Sequence, residues 1–99
     1  MIPITPNTPP HDFPRFPLGR VVMTANAART IPWHALKDGL RRHVTGDWGD
    51  PDSRDVRSNE DALQHGGRLL SAYGQGTTRF WIITEWDRSV TTILLPEEY

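Results

Sequence analysis

The chain has 99 residues, 23% of them charged, and no cysteine, so it describes one small domain without disulfides or thiolate metal sites. Eleven basic residues against twelve acidic ones give a net charge of −1, and no global field recruits nucleic acid or a membrane surface. No apolar run approaches the ~18 residues of a spanning helix, and proline stands where a secretion signal needs its apolar core, so a cytoplasmic protein is expected.

Residues 1–18 hold Pro3, Pro6, Pro9, Pro10, Pro14 and Pro17, six of the nine prolines. Such a segment favours extended conformations and reads as an N-terminal extension, with Phe13, Phe16 and Leu18 available to pin its end. Residues 19–99 read as a single α+β domain. A short strand is expected around Val21, Val22 and Met23, and Thr24 suits the cap of a helical turn. Pro32 opens the next helix, where Trp33, Leu36, Leu40 and Val44 form one stripe at spacings of three and four. Gly39 weakens that helix by about 1 kcal/mol. Arg41, Arg42 and His43 complement the dipole of its last turn, and Gly46 ends it.

Residues 46–57 read as a loop rich in glycine and aspartate. Ser58 then suits the cap of a second helix, with Asp61 three residues on and an apolar face of Ala62, Leu63, Gly66, Leu69, Leu70 and Tyr73. Gly66 and Gly67 fall in its middle, which implies close approach of another backbone. Gly74 and Gly76 stop it.

Residues 78–95, TRFWIITEWDRSVTTILL, hold the densest β-branched and aromatic run. Two apolar segments flank a polar break at 85–89, the pattern of an antiparallel hairpin with a loop of about three to five residues. With Trp86 and Asp87 at the tip, Ile83 faces Val90, Trp81 faces Thr92 and Arg79 faces Leu94. The opposite side carries Phe80, Ile82, Ile93 and Leu95 with Thr84 and Thr91, and is assigned to the core. The order β-α-α-β-β predicts a three-stranded antiparallel sheet with two helices packed on one face.

Of the aspartates Asp47, Asp50, Asp52 and Asp55, the last three resemble the start of a calcium loop, but Arg54 occupies a ligand position and no distal glutamate follows, so no metal site is expected. The four histidines lack zinc spacing. No nucleotide or cofactor motif is present, and no cofactor is expected. One polar constellation stands out. His43 ends the first long helix beside Asp47 and Trp48, while Glu85, Asp87 and Arg88 surround Trp86 at the hairpin tip. Glu85, Arg88 and His43 are the residue types of a metal-free ribonuclease, as base, charge stabiliser and acid in that order. The same residues make an ion-pair network around a turn. Trp86 between charges is hard to bury and suits a contact surface, so Asp47, Trp48, Glu85, Trp86, Asp87 and Arg88 form the candidate binding set.

Three blocks in order, RHVTGDWGD (42–50), GRLLSAY (67–73) and WIITEWDRSVTTILLPEEY (81–99), resemble a group of small proteins encoded on bacterial plasmids, phages and integrated mobile elements. The resemblance covers residues 18–99. It implies a setting, element maintenance or interference with host defences, rather than a chemistry. In element order alone the chain is similar to RelE-like and barnase-like ribonuclease toxins, without a residue-by-residue motif. Three functions follow as expectations. The first is a non-enzymatic binding protein of a mobile element that engages a host protein. The second is a small metal-independent ribonuclease. The third is a nucleic-acid-binding accessory protein using Arg41, Arg42, Arg54, Arg57 and Arg68, against which the interleaved aspartates count.

Overall fold

A computed structural model describes residues 13–99. Strand β1 (Arg20–Met23) leads into a short helix α1 (Ala25–Thr30), then α2 (Trp33–Val44) and α3 (Ser53–His65). Strand β2 (Leu69–Tyr73) follows, then β3 (Phe80–Thr84) and β4 (Val90–Leu94), with single 3-10 turns at Gly76–Thr78 and Pro96–Glu98. The chain is α+β, as its sequence predicts. The sheet, however, has four strands in the order β1-β4-β3-β2 and is mixed, with β1 parallel to β4 and the rest antiparallel. The expected three-stranded antiparallel sheet is corrected on both counts.

The extra strand comes from residues expected to be helical. Gly66 and Gly67 both take positive φ, 86° and 143°, and terminate α3 instead of lying inside it. Released from the helix, residues 69–73 alternate. Leu69, Ser71 and Tyr73 face inward, opposite Thr84, Ile82 and Phe80. The same glycines shift the helix upstream. It starts at Ser53, not after Ser58, with the Asp52 carboxylate accepting from Arg54 N at 2.8 Å. Residues 53–57, the second part of the expected aspartate loop, are thus the start of α3.

The C-terminal hairpin spans the expected strands with a five-residue connection, residues 85–89. Its register is Ile83 to Thr92 and Trp81 to Leu94, two residues from the expected pairing. A shift of two preserves the faces. Phe80, Ile82, Ile93 and Leu95 are accordingly buried on the helix side. They join Ala27, Ile31, Leu36 and Tyr73 in the first core cluster. Phe16, Trp48, Ala62 and Leu69 form the second, flanked by Leu18, Val56 and Leu63. The extension therefore places Phe16 in the core, and Arg15 N donates to Val44 O at 2.8 Å.

Helix α2 buries Leu36, Gly39 and His43, a stripe rotated from the expected one, and Trp33 is exposed. Gly39 explains the rotation. A Cβ there would stand 2.9 Å from the Phe80 ring, so the missing side chain lets α2 settle onto β3.

The helices contact the sheet from one side. On the other side Val22, Leu70, Trp81, Ile83, Val90, Thr92 and Leu94 belong to neither core cluster. Tyr99 crosses part of that side, with its ring 5.4 Å from that of Trp81 and its hydroxyl bonded to the Arg68 guanidinium. Among the described residues no helix is long and apolar enough to cross a membrane.

Candidate binding surface

The polar residues singled out from the sequence divide between the interior and the hairpin tip. His43 lies fully inside. Its Nδ1 is 2.5 Å from Ser71 Oγ and its Nε2 is 2.9 Å from Thr84 Oγ1. Thr84 Oγ1 is 2.7 Å from Thr91 Oγ1, which donates to Leu18 O at 2.7 Å. These contacts fix the protons. The Thr91 proton goes to Leu18, so Thr84 donates to Thr91 and accepts from His43. The imidazole therefore carries its proton on Nε2, and Nδ1 accepts from Ser71. Every member is satisfied by one directed chain from β2 through α2 to β3, β4 and the N-terminal segment. The rings of Phe16 and Trp48 close over the imidazole edge-on, at 5.2 and 5.7 Å. Burial, with the nearby Arg88 cation, pushes the His43 pKa down to about 3.

Arg88 does not pair with Glu85 or Asp87. It has φ 60°, and its guanidinium folds back under the tip. Nη1 donates to the carbonyls of Gly67, Glu85 and Trp86 at 2.6, 3.0 and 3.3 Å, and Nη2 to Ala62 O at 3.1 Å. Ala62 O belongs to the last turn of α3, where a cation complements the dipole. One side chain thus ties the hairpin tip to the end of a helix 26 residues away in sequence. Arg88→Ala is expected to destabilise the fold by about 1.5–3 kcal/mol, since charged donors to several carbonyls are lost together. Chemical denaturation would show this, and a loss under ~0.5 kcal/mol would mean that water replaces the clamp.

Asp87 caps its own turn. Its Oδ1 accepts from Ser89 Oγ at 2.6 Å and Ser89 N at 3.1 Å, and these bonds hold its carboxyl below the usual range. Glu85 is half-buried and Trp86 is 70% exposed. Trp48, placed with them in the sequence reading, is only 5% exposed, and its Nε1 donates to Glu60 Oε2 at 2.8 Å. It is a core residue, because residues 48–50 run alongside β2 rather than reaching the tip. Asp47 lies at the far end of that strand. Its carbonyl accepts from Tyr73 Oη at 2.6 Å and its carboxylate takes Arg42 through two bonds, 2.7 and 3.1 Å.

The structure therefore brings Glu85, Trp86, Asp87 and Arg88 together and leaves Asp47 and Trp48 elsewhere. It does not gather His43, Glu85 and Arg88 around an open site. The imidazole is sealed, and the guanidinium is occupied by carbonyls. Asp50 pairs with Arg79 at 3.0 Å, and Asp52 caps α3. Among the described residues no three of His, Cys, Asp and Glu are grouped to hold a metal ion. The sequence reading missed Ser71, assigned there to a helix, and Asn59, buried at the edge of β2. The Ser71 signal was the alternation in LLSAY. Asn59 left no signal, because its role depends on which strand lies beside it.

No protein-family model matches the chain, and neither the curated proteins nor the solved structures give a match.

Proposed function

We propose that the protein is a non-enzymatic binding module that docks a host protein through the hairpin tip. The observation that carries this reading is the Trp86 indole, exposed on a turn whose backbone is fixed from beneath by Arg88 and from the side by Asp87 and Ser89. An aromatic ring held on a rigid support loses little freedom on binding, which is the property of interface anchors. Glu85 and Asp87 flank it, and acidic neighbours disfavour a phosphate backbone, so a protein suits the surface better than nucleic acid. They would steer the encounter with a basic partner surface. The resemblance to proteins of mobile elements supplies the setting, a host factor in a defence system.

Trp86→Ala is expected to leave the melting temperature nearly unchanged, since the residue is mostly exposed and belongs to neither core cluster, and to weaken partner binding by at least about 2 kcal/mol, some thirtyfold. The check is retention of host proteins by immobilised wild type, Trp86→Ala and Trp33→Ala, with affinity then measured on the purified partner. Equal retention by all three would sink the reading. So would cleavage of total RNA by pure protein in chelator that Glu85→Gln abolishes.

A further inference from the structure

The two edges of the sheet are finished differently. At β2 the outward main-chain groups are all taken. Asn59 donates to Leu70 O at 2.7 Å and accepts from Leu70 N at 2.9 Å. Ala72 N donates to Trp48 O, and Asp50 N donates to Ala72 O, both at 3.0 Å. At β1 no described residue lies alongside. Arg20 N and Thr24 N donate to Ser89 O and Ile93 O in and beside β4. By the alternation of a strand, Val21 and Met23 direct their N–H and C=O groups away from the sheet. Val21 is 39% exposed, and residues 20–23 contain neither the lysine nor the proline that commonly guards an edge.

We propose that this edge pairs with the same edge of a second copy of the chain, antiparallel about a two-fold axis at Val22. In that register Val21 of each copy stands opposite Met23 of the other, and each such pair exchanges two N–H···O bonds. Val22 meets its own counterpart. Arg20 stands opposite Thr24 of the second copy.

Charge is what selects a second copy over any other extended strand. Arg20 forms no ion pair among the described residues. At the other end of the same strand the Thr24 hydroxyl donates to Glu98 Oε1 at 2.7 Å, and Asn26 Nδ2 and Leu95 N hold the same carboxylate at 3.1 and 2.8 Å. The two-fold therefore sets each Arg20 beside the other copy's Glu98, and does so twice. Directly opposed residues in an antiparallel pair lie about 4.5–5.5 Å apart, within the reach of an arginine. The result is one eight-stranded sheet with all six helices on one side. Four residues per copy make a short interface, so the pair is weak and concentration-dependent. This inference is independent of the reading of Trp86.

The test is sedimentation of the full chain from micromolar to millimolar concentration, with amide hydrogen exchange at Val21 and Met23. A monomer–dimer equilibrium is expected, with both amides slowing as the dimer fraction rises. Val21→Pro removes an outward N–H that the fold does not use, and should weaken the dimer at least about tenfold while the dilute monomer still melts cooperatively. Arg20→Glu should weaken it too and reverse the sign of its salt dependence, because two like-charged pairs replace two opposite ones. A chain that stays monomeric at millimolar concentration overturns the proposal. So does a dimer in which those amides still exchange fast. Protection independent of concentration would mean that the chain covers its own edge. Protection only with an added extended peptide would assign the edge to another partner.

Discussion

Phe16→Ala is expected to cost about 3–5 kcal/mol, a large share of the stability of a domain this size. The ring is 8% exposed and belongs to the second core cluster with Trp48, Ala62 and Leu69. It stacks on the Trp48 indole at 6.2 Å and meets His43 edge-on. The Arg88 guanidinium lies 5.7 Å above it. Removing the ring empties the space between the N-terminal segment and α3 and admits water to the imidazole. Urea unfolding of Phe16→Ala beside Phe13→Ala makes the comparison, because Phe13 is 60% exposed. A similar small loss in both would show that the segment is not part of the core. A chain beginning at residue 19 lacks both Phe16 and Leu18 and should unfold at markedly lower denaturant.

The second large effect is acid sensitivity centred on His43. In the unfolded chain an imidazole binds its proton near pH 6.5, but in the fold only near 3. Between those values the unfolded state holds the extra proton, so acid favours unfolding and stability rises with pH. The contribution is complete above about 6.5 and falls by up to ~1.4 kcal/mol per pH unit as the pH drops towards 3. From pH 6.5 to 4.5 the loss is about 2 kcal/mol, in a window above most carboxylate titration. The molecular cause is the directed chain. A proton on Nδ1 would reverse its bond with Ser71 and place a second cation near Arg88 in a dry interior. His43→Gln keeps a donor and an acceptor but does not titrate, so its stability should be nearly flat over that window. Equal slopes in wild type and variant would show that His43 opens to solvent before the domain unfolds. Phe16→Ala should share the shallower slope, since water at the imidazole raises its pKa.

What the sequence reveals of this fold follows the range of the interactions involved. The hairpin was legible because β-branched residues and period-two alternation act locally, and so was its buried face, which a register shift of two leaves unchanged. The pair Gly66–Gly67 was ambiguous. Two glycines mark either a helix packed closely on another backbone or the end of that helix. The choice depends on β3, which offers residues 69–73 a partner only once the chain has folded. The parallel pairing of β1 with β4 joins residues 70 positions apart and has no local signature at all. At the candidate site, Trp86 could be placed on the surface because a turn between charges has nowhere to hide an indole. The role of Arg88 could not be read, since two of its carbonyl partners, Ala62 and Gly67, come from α3 and the residues after it.

The closed edge of β2 also bears on how far this protein can assemble. A sheet with two open sides can grow without limit, each molecule adding to the last, which is how strand addition runs on into fibres. Here Asn59 and residues 48–50 fill one side with groups of the molecule's own. Each molecule then has a strand valence of one. Whatever joins β1 ends the chain of additions there, and Asn59 with residues 48–50 separates a self-limiting pair from a filament.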